Sequence, residues 1–222
     1  QQLTSKEKCL QGTFKAQMDN IGDWPVKRID EGGTLLFSDS PETVYQDGIL
    51  YQDQIEGKAR LFFYHVNAAN AAKKMEVLLE NNGKEAAQVT VTQHGLGGPG
   101  FVWLAVGKET LTSYLSGGKP YQIQIPAGKS VQLSASISEI AVLPNMLIHG
   151  IYDLVADRPV NVKVMMLPVL ENSIKFSKTA KVLAPDTHYL RGTFDGANRE
   201  VIPVEYNPQA EGPLTITLAD NK

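Results

Sequence analysis

The chain has 222 residues, of which 42% are hydrophobic, and a formal net charge of −3. That hydrophobic content supports a packed core and argues against disorder. The absence of any basic run argues against nucleic acid as a partner, and no apolar stretch approaches the roughly 20 residues that cross a bilayer.

Apolar and polar residues alternate in segment after segment, which is typical of strands with one buried face. The first part of the chain predicts strands at 10–17 and 34–38 and a strand, or a hairpin broken near Asp47-Gly48, at 43–53. The segment 59–67 is rich in aromatic and branched residues and predicts a central strand. Two further alternating runs, 74–80 and 87–94, flank Asn81-Asn82-Gly83. An Asn-Gly pair between alternating runs is a strong signal for a β-hairpin.

The segment 101–116 departs from the strand pattern. Phe101, Leu104, Leu111 and Leu115 share one face of a helix, Lys108 lies among them, and Gly117-Gly118 follows. This pattern predicts a short amphipathic helix near 108–115 that ends at the glycines.

Strands resume at 121–125 and 131–137, which predict a hairpin through 126–129, and then at 145–155 and 160–167, separated by Asp157-Arg158-Pro159. The tail holds shorter strands, and its Leu190–Phe194 echoes Leu10–Phe14. The fold class predicted is all-β, an antiparallel β-sandwich of jelly-roll or Greek-key type with one short helix. Residues 1–222 are interpreted as one domain with a core at about 10–170 and a C-terminal β extension at 171–222.

Two glycine motifs resemble phosphate-binding sequences. Gly95-Leu96-Gly97-Gly98-Pro99-Gly100 matches G-x-G-x-x-G, but the strand before it alternates, Pro99 lacks an N–H, and no acidic residue lies at the ribose-binding distance. We interpret it as a flexible loop between strand and helix. Ala127-Gly128-Lys129-Ser130 lacks the first glycine of a P-loop and is interpreted as a turn.

Catalytic and metal-binding patterns are absent from the sequence. The histidines show no metal-ligand spacing, so we predict no metal and no cofactor, with a site formed by His65, His94 and His149 as the alternative if distant strands unite them. No G-x-S-x-G elbow occurs. The carboxylate pairs Asp39/Glu42 and Asp47/Asp53 are interpreted as solvated loop residues.

Aromatic residues supply the candidate binding groups. Trp24, Tyr45, Tyr51, Trp103 and Tyr114 could face outward and stack on a sugar ring, although Trp103 is expected to pack inward. The candidate binding residues are Trp24, Tyr45, Tyr51, His94 and Trp103. The contact surface expected from them joins the segments 20–28 and 94–103.

The beginning of the chain bears on its location. Cys9 is the one cysteine, so it cannot form an internal disulfide and is interpreted as an inert thiol. Gln1 in place of Met is what a removed secretory signal would leave, and it is equally what trimming would leave.

Four stretches of the chain look familiar together: Arg60–Asn67, Val77–Gly83, His149–Asp153 and Leu190–Asp195. They resemble stretches of a group of exported β-sandwich proteins of spore-forming bacteria, some of which carry a "copper amine oxidase N-terminal-like" label. The resemblance implies an extracellular or cell-wall location. It implies no amine oxidase chemistry, because the chain lacks the T-x-x-N-Y-[DE] motif and an H-x-H copper pair.

The function expected is that of a non-enzymatic extracellular or cell-envelope domain with a binding or structural role. Cell-wall polysaccharide or another envelope protein is the expected partner. A carbohydrate-active or metal-dependent enzyme is one alternative, and a surface-layer or filament subunit is another.

Overall fold

The computed structural model describes residues 22–23, 25–205, 209 and 214–215. The helices with described bounds are α1 (Trp103–Leu115) and α2 (Ser173–Thr179), and Ala135–Ile137 forms a 3-10 turn. The strands are β1 (Gly22–Asp23), β2 (Val26–Glu31), β3 (Thr34–Ser38), β4 (Thr43–Val44), β5 (Gly48–Asn67), β6 (Lys73–Glu80), β7 (Ala87–Gly100), β8 (Tyr121–Ile125), β9 (Ser130–Gln132), β10 (Leu147–Pro168), β11 (Arg191–Asp195), β12 (Asn198–Pro203) and β13 (Leu214–Thr215).

The protein is mostly β, as predicted, and its main element is a nine-stranded sheet. The expectation of purely antiparallel pairing is wrong, because β3 and β4 both pair parallel to β5. A parallel pair needs a long crossover. Residues 45–58 form this crossover. The first part of β5 pairs with residues 160–166 of β10, in another region of the sheet, and residues 59–63 of β5 then pair with β3.

Two long antiparallel strands form the middle of the sheet. β5 has 20 residues and β10 has 22, and they pair along nearly their whole lengths. The predicted break at Asp157-Arg158-Pro159 is a register shift within one strand, in which these three residues lie opposite Glu56. Because the ladder is interrupted there, the N–H that Pro159 lacks is not needed.

Neither predicted hairpin forms. β6 pairs with residues 161–168 of β10 and β7 with residues 147–156, so β6 and β7 follow one another along the same side of β10. β8 and β9 likewise follow one another along β7 and β6. The Asn-Gly signal is local to the loop: the buried Asn81 accepts from the Gly83 N–H and donates to Ile125 O at 2.9 Å.

The register shift divides the nine-stranded sheet into two halves. The first half contains β3, β4, β7, β8, β11 and the stretches 59–67 of β5 and 147–156 of β10; the second contains β6, β9 and the stretches 48–55 and 160–168. One cluster of buried side chains, including Leu50, Phe63, Val77 and Tyr152, draws on both halves. Arg191 of β11 also donates to Leu50 O at 2.7 Å, which links the edge of the first half to the second.

α2 lies on the second half and was not predicted. Asn172 caps it by accepting from the Lys175 N–H, and Phe176 packs against buried Leu78 and Met165. Seven residues carry too little periodicity to distinguish a helix from a loop by sequence. The segment predicted as a β extension therefore contains this helix as well as β11, β12 and β13.

The chain divides into two compact units, Glu31–Asn198 and a smaller one made of Gln1–Asp30 with Arg199–Lys222. The smaller unit contains the β1–β13 pair and an Asp30–Arg199 ion pair of 2.6 Å. The interpretation of the chain as one domain stays a prediction. In the echo of Leu10–Phe14, the later copy forms β11 and the earlier copy lies outside the described residues. Within the described residues, no helix has the length and apolar character to cross a membrane.

Candidate binding surface

The glycine run of β7 is the surface on which α1 packs. A Cβ atom on Gly95 would lie 2.3 Å from Thr110 O, and one on Gly97 would lie 2.3 Å from Val106 O. The helix backbone therefore rests directly on the strand, which residues larger than glycine would prevent. Our interpretation of this motif as a flexible loop is wrong, because Gly95–Gly100 belongs to β7 and pairs with β10.

The same contact decides which face of α1 is buried. Val106 and Thr110 are its buried residues, and the Thr110 hydroxyl donates to Val106 O at 2.9 Å. Gln93 of β7 also donates to Tyr114 O at 2.7 Å. Small side chains fit against a glycine backbone, so they, and not the leucines, face the sheet. The apolar stripe that normally faces a core points outward here.

The outward stripe is an exposed apolar patch. Leu104 is 86% exposed, Leu115 76%, Leu111 49% and Trp103 41%. With Tyr64 of β5 they line an open groove of about 760 Å³. We call Tyr64, Trp103, Leu104, Lys108, Leu111 and Leu115 the α1 surface. Single exposed apolar residues are normal, but contiguous ones mark interaction sites.

Lys108 is the charged side chain of the groove lining. It is exposed, and within the described part of the chain it makes no ion pair. Its ammonium group therefore lies beside apolar side chains of the groove, and no described carboxylate pairs with it. An approaching anion could supply a countercharge.

An acidic cluster lies beside Tyr64. Burial, with Glu42 and then Asp186 nearby, raises the pKa of Asp39 to about 7. Asp39 Oδ1 is buried and lacks a hydrogen-bond partner among the described residues. Burial also raises the pKa of Glu42, and burial with Glu42 and Asp39 raises that of Tyr64. Asp39 and Glu42 lie in the loop before β4, as interpreted, but both are partly buried instead of fully solvated, and Asp39 can take up a proton near neutral pH.

The other predicted carboxylate pair is separated. Asp47 makes an ion pair of 2.8 Å with Lys73. Asp53 accepts from the Thr193 hydroxyl, on β11. Each carboxylate thus has its own partner, and the two do not form a pair.

The three histidines of the alternative metal site occupy three different environments. His65 is fully buried and contacts Ser38 Oγ at 2.9 Å and Pro41 O at 2.8 Å. His149 is 5% exposed and lies between aromatic rings of β5, and neither of its ring nitrogens has a hydrogen-bond partner in the described structure. Burial lowers the pKa of both to about 4.

His94, the third, stacks on Tyr152 at 5.6 Å and meets the edge of Tyr121. His149 pairs across the ladder with Tyr64, whereas His65 is the next residue of β5, so their side chains lie on opposite faces of the sheet. Across the described residues, no group of three His, Cys, Asp or Glu side chains could hold a metal ion.

The aromatic candidates that the structure describes do not all face one surface, because Tyr51 is buried. Trp24 lies outside the described residues. Tyr45 is 74% exposed, whereas Tyr51 is 6% exposed and bonds to the Thr193 hydroxyl. Tyr114 donates to Asp153 Oδ2 at 2.7 Å, and its ring lies under the Arg60 guanidinium.

Trp103 is the predicted residue that belongs to the α1 surface. Its indole N–H donates to Asn145 O at 3.3 Å, and its ring is 41% exposed instead of packing inward. The leucines and Lys108 were not predicted as binding residues. Their sequence signal was present, because the apolar stripe of 101–116 was identified, but only the packing of α1 shows that this stripe is exposed.

Comparisons with known proteins give no relative for this chain. No protein-family model matches it, and no curated protein and no solved structure is significantly similar.

Proposed function

We propose that the protein is a non-enzymatic binding domain, a β-sandwich that uses the α1 surface to bind an apolar segment of another protein. The observation that carries the proposal is the outward stripe of three leucines and Trp103 on a helix held against glycine backbone. Burying a leucine side chain contributes about 1.5–3 kcal/mol, so the stripe is a large source of binding free energy.

The spacing of the stripe suits a helical peptide. Leu104, Lys108, Leu111 and Leu115 recur at intervals of four, three and four residues, as do the seam positions of paired helices. The groove has a volume of about 760 Å³, and Tyr64 of β5 lines it together with the stripe. A segment with a carboxylate among apolar residues would also give Lys108 its countercharge.

A second copy of the chain is a poorer occupant. In an antiparallel pair of α1 helices, the centre of the Leu104–Leu115 stripe would lie on the two-fold axis. The two copies of Lys108 would then be offset by only about 4.5 Å along the helix axes, at a 1.5 Å rise per residue, on helices about 8–10 Å apart. Like charges so close are unfavourable, which favours a different protein as the partner.

Peptide selection tests the proposal. A displayed library of random 14-residue peptides is selected on the protein, and the enriched peptides are measured by calorimetry. We expect peptides with an acidic residue flanked by apolar ones at helical spacing. Leu111→Ser and Lys108→Glu should each weaken binding at least tenfold.

Leu170→Ser is the matched control, because Leu170 is 98% exposed but lies outside the α1 surface. Equal loss in the control and in Leu111→Ser would contradict the proposal, and so would enriched peptides without acidic residues. Sedimentation of the protein alone tests the alternative of an assembly subunit, which requires association that grows with concentration.

An extracellular or envelope location is part of the proposal. It is supported by the resemblance of four stretches, among them Arg60–Asn67 and His149–Asp153, to exported proteins. Fractionation of the native cells with an antibody against the protein tests it, and recovery in the cytosol alone would contradict it.

A further inference from the structure

A polar groove crosses the outer side of the second half of the sheet, away from α1. Gln54 of β5 pairs with Asn161 of β10, which pairs with Glu80 of β6, so the three side chains form one row across the strands. Gln52 and Lys163 pair in the next row. Two adjoining cavities of about 540 and 440 Å³ share Gln54, Glu80, Asn82 and Asn161.

Five uncharged amides line this groove. Asn81 already bonds to the protein, and the other four are Gln52, Gln54, Asn82 and Asn161. Within the described residues, none of these four side chains makes a hydrogen bond to the protein. Each amide offers two N–H donors and one carbonyl acceptor. Their bonding capacity is therefore available to a ligand.

The charges of the groove cancel. Its lining contains three acids and three bases: Asp53, Glu80 and Glu85 with Lys84, Arg158 and Lys163. Lys163 meets Glu80 at 2.8 Å and Arg158 meets Glu85 at 2.6 Å. Glu80 also accepts from Ser130 and Ser177, so it is fully engaged. Asp53 accepts from the Thr193 hydroxyl, so among the described residues Lys84 is the one charge of the lining without an ion pair or hydrogen bond, and the groove offers a charged ligand little free countercharge.

We propose that this amide groove binds a neutral carbohydrate chain. A sugar carries vicinal hydroxyls that both donate and accept, which matches amide groups, and it needs no ionic partner. Neighbouring side chains within a row lie about 4.8 Å apart, and the two rows lie about 6.8 Å apart along the strands, so successive amides can contact successive hydroxyls. The site is independent of the proposed peptide site, because α1 contributes no residue to it.

Titration with defined oligosaccharides tests the inference. The probes are the neutral hexaoses of β-1,4-glucose, β-1,4-N-acetylglucosamine, β-1,3-glucose, β-1,4-xylose and β-1,4-mannose, with oligogalacturonate as the charged comparison. We expect at least one neutral probe to shift NMR signals of Gln54 and Asn161. Gln54→Ala and Asn161→Ala should each weaken the binding of that probe at least tenfold.

Gln122→Ala is the control, since Gln122 is an exposed amide of β8 outside the groove. Gln54 is itself exposed, so its replacement leaves the fold intact. No shift with any neutral probe, tighter binding of oligogalacturonate, or equal binding by the Gln54→Ala variant would overturn the inference. Leu111→Ser should leave sugar binding unchanged, which separates this test from that of the peptide site.

Discussion

Replacing Gly97 by alanine tests the packing of α1 on β7. The new methyl group would lie 2.3 Å from Val106 O and 2.4 Å from the Thr110 hydroxyl oxygen, where ordinary contact begins at 3.4 Å. The nearer atom is backbone, so it cannot rotate away. α1 must move outward by about 1 Å, or the strand must distort.

The expected cost follows from that displacement. Overpacking of a tight site costs about 1–3 kcal/mol. A shift of about 1 Å would also lengthen the bond from Gln93 to Tyr114 O beyond hydrogen-bond range, from 2.7 Å, for about 1 kcal/mol more. We therefore expect Gly97→Ala to lower the free energy of unfolding by about 2–4 kcal/mol.

Gly107→Ala is the matched control within α1. A Cβ atom on Gly107 meets nothing within 4 Å. Alanine favours a helix interior over glycine by about 1 kcal/mol, so this variant should be stabilised. Urea denaturation of both variants, followed by far-UV circular dichroism, measures the two changes.

The outcomes are opposed in sign, which makes the comparison decisive. If Gly97→Ala unfolds at the same urea concentration as the unmodified protein, the helix does not rest on this backbone. The assignment of Val106 and Thr110 to the buried face of α1 would then be wrong, and so would the outward direction of the leucine stripe.

Three further substitutions test the buried polar groups. Asp39→Asn should gain stability relative to the unmodified protein as pH rises from about 4 to 7: the Asp39 pKa is raised to about 7, so its ionisation destabilises the folded state over that range. Solvent screening at this partly buried site limits the gain to about 1–2 kcal/mol, and a pH-independent difference in thermal unfolding would contradict it. His149→Phe should stabilise by about 1–2 kcal/mol at pH 7, because it removes two unpaired buried nitrogens, and by more at pH 5. His149 stays neutral in the folded protein because its pKa is lowered to about 4, so the unmodified protein loses stability as the pH falls below about 6.5. A gain from His149→Phe that calorimetry finds smaller at pH 5 than at pH 7 would refute this. Asn81→Ala should lower the free energy of unfolding, measured by urea denaturation, by about 2–3 kcal/mol, because the Asn81 amide donates to two backbone carbonyls. Replacing the exposed Asn82 by alanine should change it by less than about 0.5 kcal/mol. Equal effects of the two variants would exclude the role given to Asn81.

The local pattern of the sequence predicts the elements far better than their partners. The aromatic and branched residues of 59–67 and the alternation of 87–94 predict strands that β5 and β7 contain. The helix near 108–115 is confirmed and begins earlier, at Trp103. These properties depend on residues close in the chain, so a short window contains the information.

Pairing depends on distant residues, and there the sequence misled. The Asn-Gly signal at Asn82 predicts a hairpin wherever the adjacent strands are free to pair. Here β6 and β7 both pair with β10, because this strand of 22 residues is long enough to pair with the two in succession. A short window of sequence does not show that a distant strand competes with the adjacent one as a pairing partner.

The candidate binding surface shows the same division. Periodicity by itself determines that Leu104, Leu111 and Leu115 share one face of a helix. Only the tertiary structure decides that this face is exposed. The glycines of β7 leave room for the helix backbone, so the small side chains Val106 and Thr110 lie against the strand and the leucines do not. A helix presents its two faces with equal local stability, and the shape of the surface beneath it selects which one is buried.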